Sequence, residues 1–92
     1  MKKPSKKILK CLKEIINHQD WIFHQVAPNA LDLAGCRVRV FPEKSYSPLM
    51  EGMVVLLFIC DKVPDKASDW HTFLVDRNKK VCEIERQVVE LK

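Results

Sequence analysis

The sequence predicts an α+β domain that is mainly β, with an N-terminal amphipathic helix packed on a five-stranded antiparallel, partly open barrel. Three observations carry this expectation. Apolar residues recur at helical spacing near the N-terminus, the run Met53 to Cys60 is apolar throughout, and the segments on either side of that run alternate apolar and polar residues.

Pro4-Ser5 opens the first element, where the Ser5 hydroxyl suits the free amides of a first helical turn. Ile8, Leu9, Leu12, Ile15 and Ile16 then recur three and four residues apart. Lys6, Lys7, Lys10, Lys13 and Glu14 project elsewhere, which predicts a helix from Ser5 to about Asn17. A polar break follows at Asn17-His18-Gln19-Asp20. Trp21-Ile22-Phe23 with Val26 fits either a short strand or a continuation of the helix to about Gln25, and Pro28 closes the region because the residue before a proline leaves helical geometry.

After Gly35, the residues Cys36, Val38 and Val40 alternate with Arg37 and Arg39, the pattern of a half-buried strand. Pro42 to Glu51 reads as a loop holding Ser45, Ser47 and Pro48. Gly52 introduces Met53 to Cys60, which is apolar on both faces and is therefore expected to be the central strand, covered on one side by the helix. A second long loop, Asp61 to Trp70, contains Pro64. His71 to Val75 and Lys80 to Glu85 then form a hairpin around Asp76 to Lys79, with Asn78 as the residue suited to positive φ. Arg86-Gln87 interrupts the alternation before a last short strand, Val88 to Leu91.

This succession of strands and loops, Gly35 to Leu91, resembles the SH3-like small β-barrel superfamily in order and loop placement. The likeness extends to the break at Arg86-Gln87, where such barrels often make a single 3₁₀ turn. It implies ligands held between the long loops on exposed aromatics. No family signature accompanies it, so it transfers no functional residues. At 92 residues the chain has room for one core, and it reads as a single domain with a helical N-terminal segment (1–34) and a small β-barrel (35–92).

The net charge of +4 is unevenly placed. Residues 1–16 hold six lysines and one acid, a net of +5, so the remainder sums to −1. Cys11, Cys36, Cys60 and Cys82 lie 25, 24 and 22 residues apart, without the close pairs of zinc or redox motifs. They read as reduced, mostly buried thiols, which points to a reducing cytoplasm. No apolar run is long enough to cross a bilayer, and lysines interrupt any hydrophobic segment after Met1-Lys2-Lys3, so no export signal is expected.

Two candidate binding surfaces stand out. Lys3, Lys6, Lys7, Lys10 and Lys13 can neutralise the phosphates of a nucleic acid, although a solvated outer helix face is the simpler explanation, and no aromatic lies between Met1 and Asp20 for base stacking. The second surface combines Arg37 and Arg39 with Tyr46 and Trp70 from the two long loops; burial of Trp70 as a lid over the barrel end is the competing expectation.

Catalytic and metal sites are not expected. His18 and His24 are six apart, Asp61, Asp65 and Asp69 are interrupted by Pro64, and no glycine-bearing calcium loop, phosphate loop or nucleophile elbow is present. No cofactor is called for. The apolar content exceeds what so small an interior easily hides, and a second copy would cover the excess. The sequence therefore points to a non-catalytic binding module, a small protein-binding or regulatory accessory protein, with a nucleic-acid binder as the alternative and a homodimer as a candidate assembly.

Overall fold

The computed structural model describes residues 3–44, 53–76 and 78–84. Helix α1 spans Lys6–His18 and a 3₁₀ turn follows at Asp20–His24. The strands are β1 (Asn29–Leu33), β2 (Cys36–Lys44), β3 (Met53–Cys60), β4 (His71–Val75) and β5 (Val81–Ile84), with a second 3₁₀ turn at Ala67–Asp69. The strands form one open antiparallel meander in the order β1-β2-β3-β4-β5.

Ser5 starts α1 as the sequence predicts. Its Oγ accepts the Ile8 N–H at 3.2 Å and donates to Asp61 Oδ2 at 2.6 Å. Lys6 and Lys7 occupy the first turn, where cations oppose the helix dipole. Asp61, at the end of β3, supplies the negative charge that this turn lacks. The helix buries Ile8, Cys11, Leu12, Ile15 and Ile16. Leu9, expected on the same stripe, lies 42% exposed, because it sits about 100° around the helix from the centre of that stripe.

One core fills the space between α1 and the sheet. Cys36, Val38 and Val40 from β2, Val55, Leu57 and Ile59 from β3, and Phe73 and Val75 from β4 meet the helix stripe together with Ile22 and Phe23. Trp21-Ile22-Phe23 is thus a single 3₁₀ turn rather than a strand or more α-helix. The opposite face of the sheet is also dry along its middle: Val54, Leu56, Phe58, Cys60 and Thr72 are all buried, and Phe41 meets Phe58 edge to face at 5.2 Å. β3 is therefore buried on both faces, as its unbroken apolar run requires.

β1 is an addition to the expected pattern. It lies in the stretch read as helical N-terminal segment, and the expected boundary at 34/35 falls inside its hairpin turn to β2. Ala34 (φ 52) and Gly35 (φ 78) both adopt left-handed geometry, which makes a two-residue type I′ turn. Leu31 and Leu33 face the core while Ala30 and Asp32 face outward, so the alternation is present but short and free of β-branched residues. In the β4–β5 turn the positive φ belongs to Lys79 (φ 63), not to Asn78. Asp76 organises that turn, its Oδ1 accepting the amides of Asn78 (2.8 Å) and Lys80 (3.0 Å). The expected strand Val88 to Leu91 and the break at Arg86-Gln87 lie outside the described residues.

Urea denaturation tests these assignments. Ser5→Ala is expected to cost about 1 kcal/mol through loss of the cap. Leu57→Ala, deep in the core, is expected to cost about 2–5 kcal/mol. Leu9→Ser should stay within about 0.5 kcal/mol of the parent.

Candidate functional site

The period-two alternation of β2 directs Cys36, Val38 and Val40 at the helix and leaves Arg37 and Arg39 on the other face. There Arg39 stands beside Ala30 of β1 and Phe58 of β3, and Arg37 beside Asp32 and Cys60. Trp70 arrives at the same face from the loop between β3 and β4. The Arg39 guanidinium carbon lies 5.0 Å from the centre of the Trp70 ring, a cation–π contact worth about 0.5–1 kcal/mol at a partly exposed site. Together with Pro64 and β1, these residues line a cavity of about 260 Å³.

The loop that carries Trp70 is held by Asp69. Its buried carboxylate accepts the amides of Asp65 (2.9 Å) and Lys66 (3.2 Å) and pairs with Lys62 Nζ at 3.4 Å. The Asp65 amide foremost, then the Lys66 amide and the Lys62 charge, hold this carboxyl below the usual carboxylate range against the opposing effect of burial. The Trp70 N–H closes the short 3₁₀ turn by donating to the Ala67 carbonyl at 3.2 Å. The tryptophan is half-buried, neither a free platform nor a sealed lid.

The structure thus brings three of the four expected residues together: Arg37, Arg39 and Trp70. Tyr46 lies outside the described residues. Ala30, Leu31 and Asp32 of β1, Val38 of β2 and Pro64 of the β3–β4 loop also line the cavity, and the sequence pattern does not mark the β1 residues because Asn29–Leu33 carries a weak strand signal. Asp69 was visible only as one member of a four-residue aspartate spacing, a pattern that says nothing about amides folding back onto it.

The lysines occupy the other side of the molecule. Lys3, Lys6, Lys7, Lys10 and Lys13 are all exposed, and none belongs to the ion pairs found among the described residues, Lys62–Asp69 and Lys79–Asp20. Lys7 differs from the rest. Its aliphatic end lies across Gly35, where a Cβ would come within 2.9 Å of Lys7 Cε. Lys6, Lys10 and Lys13 line the outer face of α1, and the helix and sheet separate them from the arginines.

Cys11, Cys36 and Cys60 are buried and Cys82 is exposed; all four are free thiols. Cys11 Sγ donates to the Leu33 carbonyl at 3.4 Å, and Cys36 Sγ to the Lys7 carbonyl at 3.8 Å, so both thiols seal the junction of α1 with the β1–β2 hairpin. Burial first, then the neighbouring Cys36 thiol, push Cys11 up to about 12; burial also raises Cys36, although the Cys11 hydrogen bond and Lys7 oppose it. Such thiols stay protonated at neutral pH and are poor nucleophiles. His71 Nδ1 lies 3.3 Å from Glu83 Oε2, a cross-strand contact between β4 and β5. Among the described residues no three His, Cys, Asp or Glu side chains converge as metal ligands. Among the same residues no helix is long and apolar enough to cross a membrane.

Two measurements follow from this geometry. Alkylation of the native protein with iodoacetamide should modify Cys82 first, with Cys11, Cys36 and Cys60 protected until denaturant is added; rapid native modification of Cys11 would contradict the burial described. Because the Asp69 pKa is depressed on folding, its stabilising effect is present above the unfolded carboxylate value of about 4 and is lost as pH falls below it. The stability difference between the parent and Asp69→Asn, read by urea denaturation, should therefore be clear at neutral pH and shrink in acid.

Comparison with known proteins adds no relative: no protein-family model, no curated protein and no solved structure matches this chain.

Proposed function

We propose that this chain is a non-catalytic binding module, a small protein-binding or regulatory accessory protein, that engages its partner with the face bearing Arg37, Arg39 and Trp70. One observation carries the reading. Two arginines project from the same face of a rigid strand, neither has a carboxylate in ion-pair range among the described residues, and one is held over a tryptophan at the wall of a concave site. Arginine and tryptophan are the side chains on which protein interfaces concentrate their binding energy. A guanidinium already ordered on an aromatic ring loses less freedom when it meets an acceptor.

The same proposal treats the sheet as a partly open SH3-like barrel. The burial of Val54, Leu56, Phe58 and Cys60, on the face away from α1, supports a sheet curled over on itself. Three buried free thiols support a reducing cytoplasm as its setting. The lysine face of α1 favours a second reading, binding of nucleic acid, since Lys3, Lys6, Lys10 and Lys13 are exposed and unpaired among the described residues.

Affinity capture with the purified protein separates the two. Partner proteins held by the parent should be lost with Arg39→Glu and with Trp70→Ala, and kept by a variant carrying Lys6→Glu and Lys10→Glu. Trp70→Ala should lower stability by no more than about 1 kcal/mol, so that lost binding is not lost folding. Retention of DNA or RNA at low salt that falls steeply as salt rises, and that depends on the lysines alone, would instead establish the nucleic-acid reading.

A further inference from the structure

We infer that the partner element is an extended acidic segment that adds a strand to the outer edge of β1, which pairs with no other strand among the described residues, and places a carboxylate against Arg39 and Trp70. The inference rests on the reading of this face as a protein-binding site and specifies the occupant and its mode.

The hairpin turn determines which groups of β1 point outward. In a two-residue type I′ hairpin the flanking residues, here Leu33 and Cys36, form a hydrogen-bonded pair, and pairs along the ladder alternate from there. Leu33, Leu31 and Asn29 therefore turn their amides and carbonyls toward β2. Ala30 and Asp32 turn theirs away, to the side where no strand lies among the described residues. The Ala30 N–H is covered by its neighbour, donating to Asn29 Oδ1 at 2.8 Å. That is how an edge strand satisfies an amide without a partner. The Asp32 amide and the carbonyls of both residues remain along the edge.

A strand added there inherits the alternation of the sheet. In antiparallel pairing, the added residue opposite Ala30 points its side chain to the face of Arg39 and Trp70. Ala30 is the direct cross-strand partner of Arg39 and the smallest side chain in the lining, so a glutamate at that position reaches over it to the guanidinium. The residue opposite Leu31 points to the α1 side, where Leu31 and Leu33 are only partly buried, and suits an apolar side chain. The residue opposite Asp32 must not be acidic, because like charges directly across a ladder repel. Read along the added strand, the recognised pattern is hydroxyl or basic, then apolar, then acidic. Backbone pairing supplies the affinity and the Arg39–Trp70 cavity the specificity, as in other strand-addition complexes.

The test is a titration of the isotope-labelled full chain with a synthetic peptide carrying Thr-Val-Glu between Gly-Ser flanks, followed by NMR and calorimetry. Three results are expected: amide shifts at Ala30 and Asp32, an affinity about tenfold weaker when the peptide Glu is replaced by Gln, and a similar loss when the Thr nitrogen is methylated. Arg39→Gln should abolish the preference for Glu over Gln. Asn29→Ala, which uncovers the Ala30 amide, should tighten binding about threefold. If methylation of the Thr nitrogen has no effect while Arg39→Gln still weakens binding, strand addition is overturned and the binding face stands. No binding at about 1 mM peptide overturns the strand-addition inference, leaving the face to the capture experiment. So does tighter binding of a single-stranded oligonucleotide at the same residues, or a dimer of the chain that occupies the β1 edge.

Discussion

The burial of β3 on both faces is the constraint from which the remaining arrangement follows. Val54 to Cys60 are all removed from solvent, and each large side chain so buried contributes about 1.5–3 kcal/mol relative to exposure. No surface contact among the described residues approaches that sum. β2 and β4 must lie on either side of this strand, in a register that aims their own apolar residues at α1. Because side chains alternate with a period of two, a one-residue slip of β2 would carry Arg37 and Arg39 into the core and expel Val38 and Val40. The two arginines stand where they do because the core excludes them.

The end of β3 links the helix to the arginine face. Asp61 receives the hydroxyl of the helix cap, the next residue, Lys62, pairs with Asp69, and Asp69 precedes Trp70 in the chain. A short series of polar contacts therefore runs from the N-terminus of α1, along one loop, to the ring against which Arg39 rests. Asp69 bonds two amides of its own loop, so the loop keeps its shape through its own backbone rather than through packing alone. The tryptophan is thereby presented by a fixed support, which lowers the entropic cost of using it in recognition.

Charge is divided between two surfaces, the outer face of α1 and the sheet face that carries Arg37 and Arg39. Lys6, Lys10 and Lys13 follow the outer stripe of α1, as an amphipathic helix keeps one side in water. The arginines belong to a strand, and Arg39 rests against the Trp70 ring. The buried cysteines serve packing: Cys11 and Cys36 bridge the helix and the first hairpin through thiol-to-carbonyl contacts, and their protonated state suits an apolar junction.

The amino-acid sequence alone determined α1, the central strand β3, the core-facing side of β2 and the β4–β5 hairpin, since each is written in local periodicity or capping chemistry that neighbouring residues impose on one another. Ser5, Met53 to Cys60 and the Arg37/Arg39 alternation are of this kind. Tertiary structure alone decided that Asn29–Leu33 is a strand, because a five-residue run of Asn, Ala, Leu and Asp has weak strand propensity and acquires its form by pairing with β2 through a left-handed Ala-Gly turn. It alone decided that Trp70 meets Arg39 and that Asp69 serves its own loop. Those contacts join residues that are distant in the chain or depend on how a loop folds back on itself, and no periodicity in a sequence records which distant side chains the register of a sheet will bring face to face.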